Sequence, residues 1–254
     1  MHSSGLQLNI SDTEMSYFAP LTKLYSEIQS CNICREMDPL KATRRTEAID
    51  PNMDVFIVSE ALAPDQLRKS GVNFFNEGGV LGNTGKNLEK FLNRFGRTVF
   101  PQTKVFLSSG LVLEANTAYR SVYNTELTQC FPGRIRKAGK WVIRHPSPKE
   151  VVACIGQNFI VREVAIIKPK LLLLMGDESR RAFYKFFTDE PRKVTLQAHL
   201  NSIVDSGSIP VHTIGEISVS VLPIQHASGA NPSFVGMLTN DPLVELIKSV
   251  LEHP

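Results

Sequence analysis

Apolar and polar residues follow two rhythms along this chain, one helical and one extended. Between Tyr17 and Cys31, Leu21, Leu24, Tyr25 and Ile28 recur at helical spacing, which predicts a helix leading into Cys31. Asp54–Ser59 is a short run apolar on both faces, as a buried parallel strand requires. Thr84 is placed to cap a helix whose Leu88, Phe91, Leu92 and Phe95 share one face. Strand candidates follow at Val105–Ser109 and Ser121–Gln129. Helical periodicity then runs over Glu150–Ile167 and stops at Lys168-Pro169. Lys170–Met175 reads as a second buried strand, followed by a helix from about Glu178 to Phe187. Residues 188–210 read as irregular. Val219–Ile224 is the last strand, and Pro242 opens a C-terminal helix through Val250.

Strands separated by helices predict an α/β fold, a three-layer α/β/α sandwich around a mostly parallel sheet. No internal repeat or long linker divides the chain. The expectation is a flexible segment over residues 1–16 and a single domain over residues 17–254. Ligands of open α/β sheets bind beyond the carboxyl ends of the strands. Three segments fall there: Glu60–Phe75, Gly176-Asp177 and His226–Asn231.

With 42% hydrophobic and 21% charged residues, the chain is neither fibrous nor largely disordered. The longest apolar runs are too short to span a bilayer, and Met1–Glu14 lacks the apolar core of a signal peptide. A cytoplasmic, prokaryotic-type intracellular monomer with no membrane partner is therefore expected. The net charge of +3 permits an anionic partner without demanding one. A local feature says more. The hairpin-like stretch Arg134–Arg144 carries five Lys or Arg residues and no acid, the best candidate for contact with a phosphate backbone.

Four cysteines, Cys31, Cys34, Cys130 and Cys154, suggest metal ligation or redox chemistry in a chain with no export signal. The tight Cys31-Asn-Ile-Cys34 spacing lets two thiolates bind one centre, either iron–sulfur or zinc. A thioredoxin-type pair would open a helix after a strand, whereas this one follows a helix; four unligated thiols are the plainer alternative. Gly79–Asn87 superficially resembles a phosphate loop. It fails that test, because Val80 stands where the first glycine is required and Asn87 replaces Ser/Thr. His226 follows an apolar strand in a loop of small residues whose backbone N–H groups are open to a phosphate. His145, in His145-Pro-Ser-Pro148, follows the basic stretch and reads as part of a surface turn before a helix.

Taken in order, these landmarks resemble the uracil-DNA glycosylase superfamily, nearest its iron–sulfur branch, family four. The resemblance rests on the early C-x-x-C, Ser59-Glu-Ala-Leu-Ala-Pro64, Gly71-Val-Asn-Phe74, Cys130-Phe-Pro, the run into Cys154, Lys168–Gly176 and His226-Ala-Ser-Gly-Ala-Asn-Pro232. It covers about residues 20–250. It implies an α/β/α sandwich, a structural 4Fe–4S cluster on the four Cys, and cleavage of a damaged base from DNA in base-excision repair. Phe74 would stack on the flipped base. His226 would donate to the developing anion, and Glu60 or Asp65 would handle water or stabilise the sugar cation. Backbone N–H groups around Ser228 and Gly229 would hold DNA phosphates, and Phe234 would be either an apolar wedge or a core residue.

The chain departs from the family at four places. The first loop has an extra residue before Phe74, the His-Pro-Ser motif reads His226-Ala-Ser, and the Cys130–Cys154 interval is long. The base-reading Asn is Glu126. Asn124 shares that strand face and offers an alternative amide. An ionised Glu can only accept hydrogen bonds, so weak uracil activity or preference for another deaminated base is expected. The rivals are a non-catalytic iron–sulfur DNA-binding protein of the same fold and a zinc-stabilised enzyme of other α/β chemistry.

Overall fold

A computed structural model describes residues 12–34, 38–41, 53–61, 72–107, 110–188, 193–228 and 231–252. Five strands form the main sheet: β2 (Val55–Ser59), β7 (Tyr123–Glu126), β11 (Leu171–Met175), β12 (Val211–Ile214) and β13 (Ile217–Ile224). Their order is β12-β13-β11-β2-β7; β12 is antiparallel and the rest are parallel. The central strands are buried on both faces, which is why their sequences read as unbroken apolar runs.

Alternation along β11 divides the core. Leu171, Leu173 and Met175 join Val55 and Ile57 on one face, against α2 (Asn83–Asn93), α6 (Leu196–Ser206), α7 (Pro232–Leu238) and α8 (Asp241–Glu252). Leu172 and Leu174 join Phe56 and Val58 on the other, against α1 (Asp12–Ser30), α4 (Phe159–Ile167) and α5 (Asp177–Phe186). The expected three-layer α/β/α arrangement is what the chain forms.

Smaller pairs surround the sheet. β1 (Asp38–Lys41) pairs with β8 (Cys130–Phe131), β3 (Arg97–Thr98) with β6 (Arg120–Ser121), β4 (Val105–Phe106) with β5 (Val112–Leu113), and β9 (Arg134–Lys137) with β10 (Lys140–Ile143). At the amino end of β2, buried Asp54 accepts the Arg97 fork at 2.7 and 2.6 Å and Arg120 at 2.7 Å, pinning β3 and β6 to the sheet.

Several boundaries differ from expectation. The first helix begins at Asp12, inside the segment expected to be flexible. Glu150–Ile167 is two helices, α3 (Pro148–Ile155) and α4, because Asn158 adopts a left-handed φ of 57° between them. The stretch expected to be irregular contains α6, capped by Thr195, whose hydroxyl accepts from the Ala198 N–H. Of the candidate at Val105–Ser109, Val105–Phe106 forms a strand, and it pairs outside the main sheet.

Candidate active site at the carboxyl edge of the sheet

Because β2, β7, β11 and β13 run parallel, their last residues share one edge of the sheet. Glu60, Glu126, Gly176 and His226 are all delivered there.

The His226 loop is closed by its own polar groups. The Asn231 side chain accepts from the Ser233 N–H, capping α7, and donates to the His226 carbonyl at 3.1 Å. From α2, the Asn87 amide donates to the Ala227 carbonyl at 3.1 Å. The Ser228 N–H donates to His226 Nδ1 at 3.2 Å. An Nδ1 that accepts leaves the proton on Nε2. Burial by the surrounding loop also holds the imidazole below its ordinary pKa of 6.5, although part of the ring remains open to solvent. The result is a neutral histidine offering an Nε2–H donor. Gly176, at a left-handed φ of 92°, lies directly against the ring.

One expectation for this loop changes, and one open alternative is decided. The Ser228 N–H is occupied by His226, so it orients the histidine instead of holding a phosphate. Phe234 is 0% exposed and packs edge-on against Phe91 at 5.9 Å, so it is a core residue and cannot serve as a wedge in DNA. Asp65 and Gly229 lie outside the described residues.

Glu60 follows the last residue of β2. Its carbonyl accepts from the Thr128 N–H and hydroxyl, both at 3.2 Å, which ties it to the chain beyond β7. Its carboxylate lies 2.7 Å from His145 Nδ1. Toward a carboxylate that nitrogen donates, so Nε2 of this ring is left to accept a proton. His145, expected in an inert turn, is therefore a partner of Glu60. Ser147 and Glu150 form a capping box that starts α3, and the Arg144 guanidinium donates to Glu150 at 2.7 Å, fixing the chain on both sides of His145. The Arg144 hydrogen bonds hold the Glu150 carboxyl down at about 2 against the opposing effect of burial, with further help from Ser147. Beside the pair, Glu60, Leu127, Pro146 and Pro148 face Arg181 and Phe186 across a cleft of about 160 Å³.

Glu126 is paired across β2 and β7 with Ser59, the residue before Glu60. Phe74 is buried and holds a left-handed φ of 70°, an uncommon conformation for a bulky residue. The start of α2 packs against it. Gly82 N–H donates to the Phe74 carbonyl at 2.8 Å, and a Cβ at Gly85 would stand 2.8 Å from the same oxygen. Glu126 is 1% exposed and accepts from the Asn73 amide. Asn124, on the same face, is half-buried. Asn73, passed over in the sequence, thus provides the amide nearest Glu126. Its only signal was its place beside Phe74.

The four cysteines approach one another from separate segments: the end of α1, strand β8 and helix α3. None is in a disulfide. Burial, and then the nearby Cys34, Cys130 and Cys31, pushes the Cys154 thiol up to about 12, while the Gln129 N–H at 3.4 Å opposes the shift. Four thiols near enough for their charges to act at Cys154, two of them buried, are a donor set of the kind that an iron–sulfur centre or zinc takes. Among the described residues, no three His, Cys, Asp or Glu side chains are closed around a common metal position.

A family model described as the uracil DNA glycosylase superfamily matches residues 46–248, most of the chain, and the chain belongs to that superfamily. Its function is DNA-glycosylase-like in general terms, as a family that acts on DNA. No curated relative matches significantly. No helix among the described residues is long and apolar enough to cross a membrane.

Proposed function

We propose that this protein is a DNA N-glycosylase of base-excision repair, nearest the iron–sulfur branch of its superfamily, that hydrolyses the glycosidic bond of a deaminated base flipped out of DNA. The observation that carries this reading is the neutral His226 held with its Nε2–H as a donor. As the bond breaks, its electron pair moves onto the base, leaving an oxocarbenium-like sugar. His226 Nε2–H donates to the base oxygen on which negative charge grows. Water adds to the sugar carbon and gives its proton to His145 Nε2, while Glu60 fixes that ring's tautomer and stabilises the imidazolium. Phe74 stacks on the base. The Asn73–Glu126 couple meets its edge. With one Asn73 N–H given to Glu126, the amide keeps a second N–H donor and the Oδ1 acceptor, and Oδ1 accepts an N–H of the base.

Cys31, Cys34, Cys130 and Cys154 would hold a 4Fe–4S cluster. When bound, it supplies a rigid tie between α1, β8 and α3. Iron and sulfide analysis of purified protein tests this: zinc in place of iron, with no visible absorbance, would replace the iron–sulfur reading.

The function itself is tested with oligonucleotides carrying uracil, hypoxanthine, xanthine or a thymine mismatch, followed by cleavage of any abasic site. Release of at least one base is expected, with uracil not the best substrate. Replacing Glu126 by Asn should raise uracil excision relative to the native chain. DNA binding with no release of any of these bases would instead indicate a non-catalytic member of the family.

A further inference from the structure

The β9–β10 hairpin is a two-stranded ribbon with nearly every residue exposed. Its turn, Ala138-Gly139, has both φ angles positive, at 49° and 79°, the backbone twist that suits a two-residue hairpin loop. Trp141 pairs with Arg136, and Ile143 with Arg134, so these four side chains share one face. Lys137 pairs with Lys140 on the other. A two-stranded ribbon is marginally stable by itself, and like charges directly opposite each other weaken it further. Trp141, the chain's single tryptophan, is 68% exposed. This apolar surface and concentrated positive charge gain little from the ribbon's own fold, but both suit a polyanion that also offers flat rings.

The ribbon's position narrows the choice. The Arg144 N–H bonds the Gly133 carbonyl at 3.1 Å and closes its base, and the next residue, His145, reaches Glu60. The ribbon is thus rooted one residue from the proposed water-handling pair.

We infer that this ribbon is a DNA-binding element, with Arg136, Lys137 and Lys140 on backbone phosphates and Trp141 stacked on a base exposed when the target nucleotide leaves the helix. The inference rests on the glycosylase reading for its ligand, but its test does not require catalysis. Basic side chains provide salt-dependent affinity, and an aromatic face provides sequence-tolerant stacking.

The single tryptophan makes the test direct. The full chain is titrated with a duplex containing one non-cleavable abasic analogue, following both tryptophan emission and the anisotropy of labelled DNA. Quenched emission is expected to saturate together with the anisotropy. Trp141→Ala should weaken binding roughly tenfold and Trp141→Phe much less. Arg136→Gln with Lys140→Gln should lower the slope of log affinity against log salt by about 2. Heparin, a polyanion without bases, should bind and leave the emission unchanged. Saturating anisotropy with unchanged emission, or an equal emission change with heparin, would overturn the stacking role and leave the glycosylase reading standing. Failure to bind DNA by either readout would sink both.

Discussion

His226 receives a hydrogen bond on Nδ1, and His145 gives one from the same atom. The first ring is fed by a backbone N–H inside a loop of small residues. The second is held by the carboxylate of Glu60, and its side chain is 78% exposed. Each neighbour fixes a tautomer. The tautomers are opposite, so one ring presents a donor at its far nitrogen and the other an acceptor. In the proposed reaction this gives the two histidines complementary duties, one stabilising the departing base and the other taking a proton from water. The contrast shows that a histidine's role is read from what its inner nitrogen touches.

The largest test of this contrast is His226→Ala. Loss of a donor aimed at developing charge should lower the rate on the order of a hundred- to a thousandfold, with affinity for abasic-analogue DNA unchanged. Because burial lowers the pKa of the His226 ring, its own protonation, followed by NMR of the ring, should fall below the ordinary histidine value of 6.5. Protonation of that ring above 6.5 would mean that it is not held neutral.

Next is His145→Ala, expected to cost about a hundredfold, the low end for a general base. Glu60→Gln should cost about as much, and the double variant no more than the worse single one, because the two groups act as a unit. Full additivity would separate them. Asn87→Ala removes the bond to the Ala227 carbonyl and loosens only the His226 loop. About a fivefold loss in single-turnover rate is expected, in keeping with one hydrogen bond.

Arg144→Ala should change the rate least, by less than about threefold, while lowering stability to urea by about 2 kcal/mol through loss of charge-assisted bonds. It also bears on pH. Glu150 has its carboxyl pKa depressed in the folded state from 4.5 to about 2. The stability it contributes is full above the unfolded value and is lost as pH falls from 4.5 toward 2. Without Arg144 that acid-sensitive step should shrink, which acid titration followed by circular dichroism would reveal.

The sheet was legible because doubly buried strands such as β11, and β2 up to Val58, are apolar at successive positions, and a parallel sheet places their ends together. Helix α6 was hidden because Leu196, Leu200 and Ile203 are interrupted by Gln197, His199 and Asn201, so buried His199 reads as a polar residue. Strand β12 shows too little alternation to register, with only Ile214 buried. Within the site, His226 could be found because it directly follows a strand. His145 could not be assigned a role, because its pairing with Glu60 spans 85 residues and depends on the capping box that aims the loop. Phe234 stayed open between wedge and core because it is near the His226 motif in sequence; the helix that Asn231 caps turns it inward, which decides for the core.

Helix α2 touches the site twice, with Gly85 set against the backbone of Phe74 and Asn87 holding the carbonyl after His226. Two residues of a helix are separated by only about 3 Å along its axis, and a helix resists stretching. Under the proposed reaction, the stacking wall and the donor wall are therefore mounted on one stiff bar. Their spacing would work as a gauge cut by the helix. A ring of the wrong thickness or offset would have to deform α2 to enter, so part of the discrimination between bases would be mechanical and would persist even if every polar contact to the base edge were exchanged.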